Sequence, residues 1–160
     1  MISNLNACAH RAVTVSLVLA LYVSGLSVSA ADNASDINAA NKQFYAALNS
    51  IFTGDVEPMK KIWSHAKDIT YMGPDGAYDH GWDAVIGNWE KQSAKKFGGH
   101  VDLTDLVVTS GDKIAVVQGV EKGQNAKAEP VSIRATSVYR KEGGFWKMIS
   151  HHTDKLSWLK

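Results

Sequence analysis

The chain has 160 residues, 45% of them hydrophobic, with 17 Lys+Arg against 16 Asp+Glu and one cysteine. A charge balance this even excludes a nucleic-acid-binding protein, which needs a basic surface excess to neutralise phosphates. A single cysteine excludes an internal disulfide framework.

At the N-terminus, His10 and Arg11 precede an uncharged run from Ala12 to Ala31 that closes on Val28-Ser29-Ala30-Ala31. A short basic region, an apolar stretch and small residues before the cut are the layout of a signal peptide, with cleavage expected after Ala30 or Ala31. The run approaches the ~20 apolar residues of a membrane span. It is nevertheless Ser-rich, contains Gly25 and is followed by no basic stop-transfer cluster, so residues 1–30 are read as a cleaved leader and 31–160 as the mature domain. The expected location is periplasmic or secreted, with no stable membrane anchor. Cys8 leaves with the leader, and loss of Arg11 brings Lys+Arg to 16 against 16 acids. The remaining ~130 residues suffice for one domain, held by its core alone.

From Asp36, the residues Ile37, Ala40, Phe44, Leu48 and Ile51 recur at helical spacing and predict one long amphipathic helix ended by Gly54. Asp55 then caps a short second helix with Pro58 in its first turn and Met59, Ile62 and Trp63 turned inward. Asp68 to Met72 reads as a strand, followed by the turn Gly73-Pro74-Asp75-Gly76. A third helix follows Gly81, carrying Trp82, Val85, Ile86, Trp89 and Phe97 on one stripe, and Gly98-Gly99 stops it. Beyond it, Val101 and Leu103 alternate in one phase and Leu106 and Val108 in the other, which predicts a β-bulge near Thr104-Asp105. Strands Ile114–Glu121, Val131–Lys141 and Phe145–Thr153 complete antiparallel hairpins. Helices first and strands afterwards make an α+β domain with the helices on one face of a curved sheet.

Several short motifs stand in a fixed order: Phe44-Tyr45-Ala46-Ala47-Leu48-Asn49, the Gly54-Asp55 break, Ile62-Trp63, and Asp68-Ile69-Thr70-Tyr71 running into Pro74-Asp75-Gly76 and Gly81-Trp82. The chain ends with Arg134-Ala135-Thr136-Ser137-Val138-Tyr139-Arg140 and Gly144-Phe145-Trp146-Lys147-Met148-Ile149-Ser150-His151-His152. This succession resembles the nuclear transport factor two-like superfamily, in its SnoaL-like, ketosteroid-isomerase-like branch, over essentially the whole mature chain. The resemblance implies a cone-shaped α+β barrel in which a curved antiparallel sheet wraps a long N-terminal helix, with two further helices and a pocket between. It also implies a homodimer. Members include ketosteroid isomerases, polyketide cyclases and dehydratases, while others bind ligands or build oligomers, and fold alone does not choose among them.

Residue by residue, the resemblance withholds the known chemistries. Ketosteroid isomerases carry a catalytic Asp just before the Pro of the first-strand turn, where this chain has Gly73. Their oxyanion-hole Tyr and late-strand acid match Phe44 and Ala135 or Thr136. Tyr45 is one residue away, about 100° around the helix. The arginines that line the pocket of the calcium/calmodulin-dependent kinase association domain match Ser137 and Thr153, so no anion pocket is expected, and Arg134 falls on the outer face.

Strand alternation places Ala135, Ser137 and Tyr139 on one face and Ile149, His151 and Thr153 on one face of the next strand, taken as pocket-facing, with His152 and Asp154 outward. The opposite phase exchanges His151 and His152. His151 is suited to acid–base work near neutral pH, with Tyr71 or Tyr78 as hydrogen-bond partner, and equally to a hydrogen-bonded place at the end of a core strand. Adjacent strand histidines diverge, so no metal site is expected. His65 is read as closing the second helix at its carbonyl end. The expected pocket lining is Phe44, Leu48, Trp63, Tyr71, Tyr78, Trp82, Trp89, Ser137, Tyr139, Ile149 and His151. Core packing explains Trp63 and Trp89 as well, whereas Tyr71, Tyr78 and Trp82 flank the Gly73–Gly81 turn. No nucleotide motif, nucleophile elbow or metal signature calls for a cofactor.

Three functions compete at this point: a binder of a small, largely apolar or aromatic ligand, a cofactor-independent lyase or isomerase using His151, and an interaction module. The last would meet another chain through a sheet face bearing Arg134, Thr136, Val138, Trp146 and Met148.

Overall fold

A computed structural model describes residues 30–154. The predicted leader, apart from Ala30, and the six C-terminal residues lie outside that range. Helix α1 (Ala30–Thr53) turns Ile37, Phe44, Leu48 and Ile51 into the core. It also buries Tyr45, so both neighbours on the helix face protein. The reason is that the sheet and α3 embrace α1 on more than one side, which widens the buried stripe. The Asn49 side chain fixes α1 to the sheet: its Nδ2 donates to the Val101 carbonyl at 3.0 Å and its Oδ1 accepts from the Val101 amide at 2.9 Å.

Helix α2 (Glu57–Ile62) has Pro in its first turn, and the Glu57 amide donates to Asp55 Oδ1 at 3.0 Å. His65 Nε2 lies 3.0 Å from the Lys60 carbonyl and so closes this helix. Strand β1 (Thr70–Met72) leads into β2 (Tyr78–His80), an edge strand inside the predicted Gly73–Gly81 turn whose three residues carry no readable period. Helix α3 (Trp82–Lys95) buries Val85 and Trp89. Phe97 is not on its stripe: Lys96 adopts a left-handed conformation that ends the helix first, and Phe97 is largely exposed.

Strands β3 (His100–Ser110), β4 (Ile114–Gln124), β5 (Pro130–Glu142) and β6 (Phe145–Asp154) form an antiparallel meander, and β1 joins β6 in parallel, giving the order β2-β1-β6-β5-β4-β3. A bulge between Thr104 and Val107 shifts the β3–β4 register where the change of hydrophobic phase predicted it. β4 and β5 run further than expected, to Gln124 and from Pro130, leaving a five-residue loop in place of the longer one.

A second bulge lies between Val138 and Tyr139 and changes which β6 residues face inward. Ser137 pairs with His151 and Tyr139 with Met148, so Ile149 falls in the irregular step. The expected inward place of Ile149 is therefore taken by Met148, fully buried, and Trp146 is buried with it. That corrects the outer face proposed for an interaction module, since Trp146 and Met148 are core residues. The core gathers Phe44, Met59, Trp63, Trp89, Tyr139 and Met148, each at most 1% exposed. Side chains of this size contribute roughly 1.5–3 kcal/mol each when fully buried.

A buried Tyr-Glu-His-Ser chain in the cone

Between α1, α3 and the concave face of the sheet lies a cavity of about 250 Å³. Leu48 and Phe52 of α1 and Trp89 and Gln92 of α3 form one side, and Tyr71 of β1 stands in the sheet beside His151. Glu121, Val131, Ile133, His151 and Thr153 of the sheet form the other, with Pro74, Phe97 and Asn125 completing the lining toward the loops.

The polar groups at its inner wall are joined. Ser137 Oγ lies 2.9 Å from His151 Nδ1, and His151 Nε2 lies 3.4 Å from Glu121 Oε1. The Tyr45 hydroxyl donates to the same Oε1 at 3.0 Å. All four residues are at least 95% buried. A carboxylate only accepts, so it favours the proton on Nε2, and the Ser137 hydroxyl, able to donate or accept, then donates to Nδ1. Phe44 packs against the imidazole with ring centroids 4.6 Å apart, and Tyr71 lies parallel to it at 6.2 Å. Burial, then the adjacent Glu121 charge, pushes the Tyr45 hydroxyl well above its ordinary pKa, and burial does the same for Tyr71. Both phenols stay protonated donors through the physiological range. Tyr71 Oη accepts from Gln92 Nε2 at 3.2 Å, and Gln92 continues to Asn88 and Asp79. A buried carboxylate beside an imidazole, at the wall of an apolar cavity, is an arrangement able to take and return a proton.

Of the predicted lining, the structure brings Leu48, Tyr71, Trp89 and His151 to this cavity. Phe44 and Ser137 stand one layer behind, holding the His151 ring. Trp63 is core, packed edge-on to Tyr71 and tilted on Trp89, and Tyr139 spends its hydroxyl on Asn41 Oδ1 at 3.1 Å. Ile149 is displaced by the bulge. Tyr78 is 69% exposed, because alternation along β2 turns Asp79 toward Asn88 and Tyr78 away. Trp82 stacks on His65 at 3.8 Å, outside the cavity. Tyr78 is thus no partner for His151, while Tyr71 shares its wall. His152 is exposed, and Asp154 pairs with Arg134, whose hydrogen bond holds that carboxyl below its usual range. Asp154 orients neither imidazole.

Glu121 and Tyr45 were missed. Glu121 continues the inward alternation of Ala115 and Val117 on β4, and an acid in a buried phase was the available signal. At Gly73, where isomerases carry their base, a Cβ would lie 2.8 Å from the Tyr71 hydroxyl and from Asp75 Oδ1, so a larger residue there would displace those side chains. Among the described residues, the one acid that lines the cavity comes instead from β4. Among the described residues, no group of three or more His, Cys, Asp or Glu side chains converges.

Solved structures share this fold. A candidate dehydratase of the nuclear transport factor two-like family from Streptomyces avermitilis is 22% identical, with a TM-score of 0.69 over 80% of this chain and 99% of that one. A protein of the same superfamily from Pseudomonas putida is 20% identical, with a TM-score of 0.67 over 80% and 93%. A candidate ketosteroid isomerase from Parabacteroides distasonis is 18% identical, with a TM-score of 0.61 over 78% and 88%. Among curated proteins, none matches the sequence. The SnoaL-like domain family matches residues 37–153, which span every element from α1 to β6, and the chain belongs to that family.

Proposed function

We propose that this protein is an exported, dimeric carrier or sensor of a small, largely apolar molecule held in the cone. The observation that carries the reading is the cavity itself: about 250 Å³, walled by Leu48, Phe52, Trp89, Val131 and Ile133, with its polar groups confined to a few fixed positions. The leader-like N-terminus supports export. The exposed Val107 and half-buried Val116, Val120 and Val138 on the convex face of the sheet support a second copy there. Native mass spectrometry of the protein purified from an exporting host tests all three. The expected result is a ligand-retaining dimer of the chain lacking residues 1–30, with Trp89→Ala weakening ligand retention. A monomer with an intact leader and no affinity for any apolar probe overturns the reading.

A second reading, favoured by the 3.4 Å approach of His151 to Glu121, is a cofactor-independent lyase or isomerase in which the pair moves a proton on the bound molecule. It requires that His151→Ala abolish turnover while leaving binding within a few-fold. Equal loss of binding and turnover assigns His151 to the ligand alone.

A further inference from the structure

A carboxylate offers about four acceptor sites, and Glu121 uses half of itself. Tyr45 and His151 both engage Oε1, and among the described residues no donor lies on Oε2. Glu121 lines the cavity, and Oε2 is not among the buried polar atoms left without a partner, so that oxygen is open to a donor from the cavity.

A second group in the same wall is short of a partner. Thr153, 4% exposed, lines the cavity, and its hydroxyl is buried without a hydrogen bond. The register explains why it bears on Glu121. Gly119, Ala135 and Thr153 form one row across β4, β5 and β6, with Glu121 and Ile133 in the next row on one side and Val117, Ser137 and His151 on the other. Glu121 and His151 therefore reach toward each other across the row that carries Thr153. A turn about the Thr153 χ1 exchanges its methyl and hydroxyl between staggered positions and breaks no hydrogen bond.

Charge narrows the ligand further. Among the described residues no Lys or Arg lines the cavity, so an anionic ligand would meet Glu121 without a counter-charge from them. An ammonium could donate to Glu121 and to the Thr153 oxygen, but it has no lone pair to receive the Thr153 proton. A hydroxyl group answers both shortages, donating to Glu121 Oε2 and accepting from Thr153. As for size, a cavity of about 150 Å³ holds benzene, so this one suits roughly a bicyclic skeleton.

Resting on the small-molecule reading above, we propose that the ligand class is an uncharged, ring-sized apolar molecule bearing one hydroxyl, a phenol or a cyclic alcohol, with that hydroxyl bridging Glu121 and Thr153. The test compares four matched probes, naphthol, naphthalene, naphthoate and naphthylmethylammonium, by quenching of tryptophan fluorescence, since Trp89 stands in the wall. Naphthol is expected to bind about tenfold tighter than naphthalene, the worth of one good hydrogen bond, with naphthoate weakest. Thr153→Val, which keeps the shape, and Glu121→Gln should each narrow the preference for naphthol over naphthalene several-fold. Thr153→Val keeps the test open if Glu121→Gln does not fold. Equal binding of naphthol and naphthalene, or a preference for either charged probe, overturns the hydroxyl assignment and leaves the apolar cavity standing. Failure of all four to bind overturns the small-molecule reading itself.

Discussion

Replacing Tyr45 by Phe removes one oxygen and keeps the ring that packs edge-on against Phe44 at 5.1 Å. What is lost is the donor on Glu121 Oε1, in a setting where tyrosine and glutamate are 4% and 3% exposed. A hydrogen bond to a charged acceptor is worth about 1.5–3 kcal/mol, so Tyr45→Phe is expected to cost about 2 kcal/mol. For a domain of this length that is a fall in Tm of roughly 6–10 °C. Urea unfolding followed by circular dichroism supplies the free energy, with the slope unchanged if only the native state is affected. A double-mutant cycle with Glu121→Gln isolates the pair, and its coupling should be about 1–2 kcal/mol. A cost below about 0.5 kcal/mol, or additive single effects, would refute a buried Tyr45–Glu121 bond.

Three further expectations test other parts of the fold. Burial raises the hydroxyl pKa of Tyr45, Tyr71 and Tyr139 above the unfolded value of about 10. Their contribution is then fully present below about pH 10 and drains as the pH rises, at about 1.4 kcal/mol per unit for each tyrosine and about 4 for the three. Tyrosinate absorbance from these three should rise only together with loss of circular dichroism, and ionisation inside an intact fold would contradict their burial. Met148→Ala should cost about 2–5 kcal/mol in urea unfolding while Phe145→Ser, 72% exposed, should cost less than about 0.5, and the reverse ranking would restore the unbulged register. Gly119→Ala would place a Cβ 2.6 Å from the Thr104 carbonyl beside the bulge, at an expected cost of about 1–3 kcal/mol, and a neutral substitution would mean the β3 backbone yields there.

The fold was legible where period and punctuation agree. The stop at Gly54 fixes the end of α1, although the helix starts at Ala30, six residues before the Asp36 from which the apolar spacing runs, and the change of phase between Leu103 and Leu106 announced the β3 bulge. β2 escaped because a three-residue edge strand is made by its partner β1 rather than by its own pattern. The β5–β6 bulge escaped for a different reason. Met148 and Ile149 are both apolar, so either one satisfies an inward position, and the slip that selects Met148 leaves no trace in the alternation of side chains.

That slip also decides what could be read of the site. His151 is inward because it is counted from the far side of the bulge, in register with Ser137, while Trp146 and Met148 are inward on the near side with opposite parity. A single unbroken strand would have had to choose between an apolar end packed on α1 and α2 and an imidazole in the cavity. The bulge allows both, which gives it a functional as well as a packing role. Tyr45 and Glu121 are 76 residues apart in sequence, and nothing local pairs them. Each is visible alone as a polar group in a buried phase, and it is the curvature of the sheet over α1 that brings the two together with His151. Sequence reasoning that judged Tyr45 by its 100° rotation from Phe44 assumed a helix with one buried face. Wrapped as α1 is, the second face is interior too, and it carries the donor that holds the carboxylate in the cavity wall.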